Sequence, residues 1–205
     1  IPSNARYILI FFRETPAFRG AAAGRRVLVV KPSSLGDIVH SLPVVSALAR
    51  GGMDVHFAAR REYRDLLEMC PAIRRILDCP KRWSEVAAFV HDLRSREYDT
   101  VIDLQGLLRS ALASSCAHTR RRIGLPDSRE AALFFYDEVA SYGEGVRHAI
   151  ERYLSVLNGI ADFGLRISDL KKNVTAEDYG IHVPTSAEEM AKRLTGAGDY
   201  VVFSP

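Results

Sequence analysis

One run of residues has the plainest chemical potential: Lys31-Pro-Ser-Ser-Leu-Gly-Asp37-Ile-Val-His40-Ser-Leu-Pro43, directly after the apolar stretch Val27–Val30. In an open parallel sheet, loops leaving the carboxyl ends of strands line the ligand crevice, which places Ser33, Ser34, Gly36 and Asp37 for ligand contact. Gly36 allows close backbone approach or a positive φ. A helix starting just beyond it offers free N–H groups to an anion and favours the ionised form of Asp37, a carboxylate that can then act as a general base. His40 would be a second polar group over the substrate. Plainer roles fit as well: Asp37 as a helix-start carboxylate, His40 as a histidine on a helix face. Pro43 suits the first turn of that helix, with Ser41 as its cap. Neither the dinucleotide G-x-G-x-x-G nor the P-loop G-K-[ST] is present.

Asp103-Leu-Gln105-Gly106-Leu-Leu-Arg109-Ser110 repeats the arrangement at the end of another apolar run. Its loop is expected to reach the same sheet edge, so Gln105 and Gly106 would face the crevice, and Arg109, one turn in, could hold an anion. Asp103 has two readings, a ligand contact or a buried acceptor for loop N–H groups. Arginine clusters at Arg60, Arg61 and Arg64, at Arg74-Arg75, and at Arg120-Arg121-Arg122 with Arg129. Guanidinium forks suit carboxylates and phosphates, while solvated surface is the ordinary fate of such side chains.

The elements that must position these groups alternate between strand and helix length from Arg25 onward, which predicts an α/β fold: a Rossmann-like parallel sheet flanked by helices. Strands are expected at Val27–Val30, Asp54–Ala58, Ile76–Cys79, Thr100–Leu104 and Arg121–Gly124. Helices are expected from the Asp37 loop to Arg50, where Gly51-Gly52 stops the turn, and at Glu62–Met69, Ser84–Arg96 with Ser84 as N-cap, Leu107–His118 and Val146–Phe163. Ala131–Ala140 is ambiguous, and Leu165–Val183 reads mostly as loop. Thr185 caps a last helix to Leu194, and Tyr200–Phe203 reads as a strand just begun, at the entrance to a further domain. The layout is then a leader at 1–24, the main domain at 25–184, and an interdomain segment at 185–205.

Composition narrows the classes. A chain of 205 residues with 47% hydrophobic positions and a mean hydropathy of -0.04 can bury a full core. No apolar stretch has the length of a membrane span or the flanks of a secretory signal, so a cytoplasmic protein is expected. Cys70, Cys79 and Cys116 lack both an even count and metal-ligand spacing and read as thiols, with no metal site. A net charge of only +3 argues against nucleic acid as the main partner.

The two loop motifs resemble the signatures of the lipopolysaccharide heptosyltransferases of glycosyltransferase family 9: Val27 to Pro43, and Tyr98 to Ala111. Pro71–Ile76, Lys81-Arg82-Trp83, Arg121–Gly124, Ser128-Arg129-Glu130, Phe135-Tyr136 and His148–Arg152 extend the likeness, in order, from about Arg25 to about Leu157. The resemblance implies the N-terminal, acceptor-binding half of a GT-B glycosyltransferase, two Rossmann-like domains facing a cleft. It implies no cofactor and no metal. The donor is ADP-L-glycero-D-manno-heptose, held by a C-terminal domain whose D-T-G-x-x-H type signature does not occur in this chain. The acceptor is Kdo-lipid A, reached at the cytoplasmic face of the inner membrane, with Ala131–Tyr136 as a candidate for membrane contact. Asp37 falls on the family's proposed base, and Arg60, Arg61, Arg64, Arg120 and Arg129 on its acceptor-binding basic residues. Where many relatives carry an acidic pair after the second strand, this chain has Ala58-Ala59-Arg60-Arg61. A relative moving another sugar and a non-catalytic carbohydrate- or anion-binding module are the alternatives.

Overall fold

Val27, Leu28, Val29 and Val30 are each at most 1% exposed, so the strand that carries them, β1 (Arg26–Val30), is covered on both faces, as its unbroken apolar run requires. The computed structural model of the protein describes residues 24–142, 146, 148–163, 174–186 and 188–189. The leader up to residue 23, the end of the helix begun at Thr185 and the strand expected at Tyr200–Phe203 lie outside them.

After β1 come α1 (Leu35–Arg50), β2 (Asp54–Arg60), α2 (Arg64–Glu68), β3 (Ile73–Cys79), α3 (Trp83–Arg94), β4 (Glu97–Tyr98), β5 (Thr100–Asp103), α4 (Leu108–Cys116), β6 (His118–Thr119), β7 (Arg122–Gly124), β8 (Glu138–Val139) and α5 (Ala149–Leu154). Six strands form a parallel sheet in the order β3-β2-β1-β5-β7-β8, and β4 pairs with β6 beside it. Two apolar layers cover the sheet. One joins Ile38, Leu42, Val45 and Tyr153 to Val27, Val29 and Val55; the other joins Phe89 and Leu93 to Leu28, Val30 and Leu77.

The strand order places β2 and β3 on one side of β1 and β5 and β7 on the other. The loops leaving β1 and β5 therefore lead to helices on opposite faces, the switch point at which such sheets usually bind ligands. The backbone N–H of Ser33 donates to the Oε1 of Gln105 between the two loops at 3.2 Å.

Several expectations shift by a turn. The first helix is capped by Ser34 and runs through Pro43, so Pro43 lies in its interior and Ser41 is no cap; the Ser41 hydroxyl donates to the Ile38 carbonyl instead. The fully buried Ile38, Leu42, Val44 and Val45 offset the cost of an interior proline, about 3 kcal/mol. α3 starts at Trp83 with Arg82 as its cap, not Ser84. The ambiguous Ala131–Ala140 stretch divides into a single 3-10 turn, Ala132–Phe135, and β8. The Val146–Phe163 helix is α-helical only at Ala149–Leu154, and a 3-10 stretch at Ser155–Phe163 follows.

Gly124 ends β7 under the Tyr136 ring, and a Cβ there would overlap ring carbons of that side chain. The Tyr136 hydroxyl donates to Asp103 at 2.8 Å, so displacing the ring also strips a bond from a buried carboxyl. Gly124→Ala is expected to cost about 3 kcal/mol, from overpacking plus the lost hydrogen bond. That corresponds to a fall in Tm on the order of 10 °C by thermal denaturation; an unchanged Tm would show that the ring has room to move.

Candidate functional site

The loop between β1 and α1 is built around one carboxylate. Asp37 is the third residue of α1, and its Oδ2 accepts from the Ser34 backbone N–H at 3.3 Å and the Ser34 hydroxyl at 3.1 Å, closing the first turn as a capping box does. Lys31 brings its ammonium to 3.6 Å from the same oxygen, and the Tyr153 hydroxyl donates to Oδ1 at 3.3 Å. Both partners are fixed: Lys31 is 3% exposed and Tyr153 4%, and the Lys31 ammonium lies 5.3 Å from the centre of the Tyr153 ring. Asp37 itself keeps 40% of its side chain exposed, so the carboxylate is clamped from behind and open in front.

The electrostatics follow from that geometry. Burial pushes the Asp37 carboxyl upward, but the Lys31 ammonium, the N–H and hydroxyl of Ser34 and the Tyr153 hydroxyl outweigh it and hold the group below the usual carboxylate range. Burial draws the Lys31 ammonium below the usual lysine range, against the opposing charges of Asp37 and Asp103. Burial and the Asp37 charge push the Tyr153 hydroxyl upward, which keeps it a proton donor to Asp37. At neutral pH the centre is an ionised, solvent-facing carboxylate.

The loop after β5 supplies the other wall. Asp103 is 1% exposed and accepts from the backbone N–H groups of Gln105 (2.8 Å) and Gly106 (3.1 Å) and from Tyr136, so it is the buried organiser of the loop. Burial raises its pKa against those hydrogen bonds. Gly106 has φ +67°, and its carbonyl accepts from the Arg129 N–H at 2.7 Å, tying the loop after β7 to the loop after β5. Gly36 lies inside the first turn of α1, faces open space and has no positive φ, so only the close-approach half of its expected role stands. His40 is one turn beyond Asp37, with its ring 5.6 Å from that of His148.

The arginines divide. Arg60 ends β2, and its N–H donates to the Pro32 carbonyl at 3.2 Å, which joins it to the Asp37 loop. Arg60 and Arg109 both act on Cys79, whose thiol burial and nearby carboxylates push up to about 12. Arg60, at the end of β2, and Arg109, at the start of α4 after β5, share the sheet edge of Asp37. Arg60, Arg61 and Arg64 also line a cavity of about 1070 Å³ beside β3, to the side of Asp37. Arg64 is committed there: its Nε and NH2 both donate to Asp78, at 3.2 and 2.8 Å. Arg129 is exposed at the Asp37 edge. Arg120 is not brought there, because it precedes β7 and parallel register sets it level with the amino end of β5, across the sheet from Asp37.

Lys31 and His148 stand in the sequence motifs without a site role expected of them, and the sequence does not single out Tyr153 at all: it lies 116 residues beyond Asp37, where no local spacing reveals it. Among the described residues, no group of three or more His, Cys, Asp or Glu side chains is placed to hold a metal ion.

The glycosyltransferase family 9 (heptosyltransferase) model matches residues 86–205. The chain belongs to glycosyltransferase family 9. Lipopolysaccharide heptosyltransferase 1 of Pseudomonas aeruginosa is 31% identical over 194 residues, covering 87% of this chain and 51% of the relative. The Escherichia coli K12 protein of the same name is 29% identical over 195 residues, 87% and 57% respectively. This family 9 chain thus spans about half the length of the curated relatives it matches. Escherichia coli heptosyltransferase WaaC with ADP-2-deoxy-2-fluoro heptose superimposes with TM-score 0.60 and 28% identity, over 66% of this chain and 48% of that one. Escherichia coli ADP-heptose lps heptosyltransferase II, at TM-score 0.63 and 22% identity over 84% and 51%, shares the fold.

Proposed function

We propose that residues 25–184 form the acceptor-binding half of an inverting, metal-independent heptosyltransferase, which transfers L-glycero-D-manno-heptose from ADP-heptose to a Kdo residue of the nascent lipopolysaccharide inner core. Residues 185–205 lead into the donor domain, without which the chain is inactive. The observation that carries this reading is the Asp37 centre: an ionised carboxylate held by Lys31, Ser34 and Tyr153, exposed at the crevice between β1 and β5. Family 9 membership and the ADP-2-deoxy-2-fluoro heptose named with one solved relative support the choice of sugar.

The chemistry asked of the site is one proton transfer. A Kdo hydroxyl seated against Asp37 loses its proton to the carboxylate as its oxygen attacks the anomeric carbon, while ADP leaves from the opposite face and the configuration inverts. One carboxylate suffices, whereas a glycoside hydrolase needs a pair. Arg60, Arg109 and Arg129 at the sheet edge of Asp37, with Arg61 in the cavity beside it, are suited to the acceptor's carboxylates and phosphate. The work takes place at the cytoplasmic face of the inner membrane, and nucleic acid has no part in it.

The test is transfer by the full-length gene product. Incubated with ADP-heptose and Kdo-lipid A, it is expected to release ADP and extend the acceptor by one heptose, with and without a chelator. Transfer only from another nucleotide sugar would move the reading to a different family 9 activity. Binding of the acceptor with no transfer from any donor would make the chain a carbohydrate-binding module.

A further inference from the structure

α3 carries two apolar stripes, and the core uses only one. Phe89 and Leu93 face the sheet and join the layer around Leu28 and Leu77. Trp83, Val86, Ala87 and Val90 recur at i, i+3, i+4 and i+7 on another side, where with His91 and Arg94 they line a shallow groove open to solvent. Neither core cluster includes them, and Trp83 is 92% exposed. Burying an indole this size normally removes 150–250 Å² from water, so its full exposure at a helix start is costly unless something covers it.

The charges around the stripe define the partner. Lys81 and Arg82 precede Trp83, and Arg94 follows Val90 on the groove itself. The helix's acidic residues are turned to other work: Asp92 pairs with Arg75 and Arg96, and Glu85 accepts the Lys81 and Arg82 backbone N–H groups at the helix start. An amphipathic helix with a tryptophan, small aliphatic residues and a cationic border has the composition of an interfacial membrane anchor. Leu133 and Phe134 are also exposed, but Arg129, Glu130 and Asp137 around them give that segment no cationic border.

We infer that the outer face of α3, centred on Trp83, docks this domain on an anionic phospholipid surface. The stripe begins where β3 ends, at the sheet edge that carries Asp37, and Lys81 there pairs with Glu62 at 2.7 Å, beside Arg60 and Arg61. A bilayer meeting Trp83 therefore lies alongside the basic cavity and the crevice. The choice of a lipid surface over a protein rests on the heptosyltransferase reading as well as on the charges, since that reading brings the acceptor in a membrane.

Trp83 is the only tryptophan of the chain, so its fluorescence reports on this surface alone. With phosphatidylcholine vesicles containing phosphatidylglycerol, the 205-residue protein is expected to sediment and its emission to shift to shorter wavelength, both effects weakening with added salt. Vesicles of phosphatidylcholine alone should bind it far less. Trp83→Ser and Val90→Glu, with circular dichroism matching the parent, should each lower binding roughly tenfold. Arg82→Glu should remove the preference for anionic lipid, and Phe134→Ser should change nothing. No sedimentation, or sedimentation untouched by Trp83→Ser and Val90→Glu, overturns the assignment. A blue shift that rises with protein concentration before any lipid is added overturns it too, in favour of a second copy. Asp37→Asn should bind vesicles like the parent, so failure of the proposed chemistry and failure of this docking surface read out separately.

Discussion

Asp37→Asn in the full-length gene product should lower kcat for heptose transfer about 10³-fold, with the acceptor KM changed little. Removing a positioned general base typically costs 10²- to 10⁴-fold, because an amide keeps the shape of the carboxylate and cannot take the proton. The structure also gives Asp37 a second job, since its Oδ2 closes the first turn of α1 onto Ser34. Asparagine can still accept both Ser34 bonds, so the helix start should survive at a cost of about 1 kcal/mol. The two jobs therefore separate: a capping carboxylate predicts a small fall in Tm and nearly normal turnover, a base predicts the reverse. Steady-state kinetics beside a thermal melt decide between them, and turnover within tenfold of the parent would remove Asp37 from the chemistry.

The two loop motifs were legible because strand, turn and carboxylate are contiguous, and the parallel sheet because its apolar runs are short and evenly spaced. Joining the Asp37 and Gln105 loops at one crevice needed only the rule that parallel strands deliver their carboxyl ends to one edge. What stayed hidden has local reasons. Lys31 is a lysine buried to 3% exposure, and lysines are almost never buried unpaired, so its role emerges only with its partner. Tyr153 reaches Asp37 because α5 packs on α1, a tertiary event without sequence spacing. β4 and β6 have two residues each, too few for any period to show. Arg64 clusters in sequence with Arg60 and Arg61 yet closes on Asp78, and Arg120, taken with the loops at the carboxyl ends of strands, falls between β6 and β7 at the amino end of the sheet. A run of basic residues reveals charge and says nothing of which sheet edge receives it.

The largest pH effect is expected at Lys31. Burial works to raise the Asp37 pKa, and the Lys31 ammonium is the strongest of the groups that reverse it, ahead of Ser34 and Tyr153. In the parent enzyme the acid limb of kcat/KM should therefore lie below the ordinary carboxylate value of about 4, because the base loses activity only as protons overcome a stabilised anion. Lys31→Met keeps an apolar stem beside Tyr153 and removes the charge that opposes burial, so the limb should move upward and the activity loss should grow as the pH falls. Tyr153→Phe removes one donor and keeps the ring, and its limb should move in the same direction by less. The order of the three limbs, parent lowest and Lys31→Met highest, separates an electrostatic role from a packing role, since a packing defect lowers kcat at every pH alike. Coincident limbs in all three enzymes would mean that Lys31 and Tyr153 hold Asp37 in place without setting its charge.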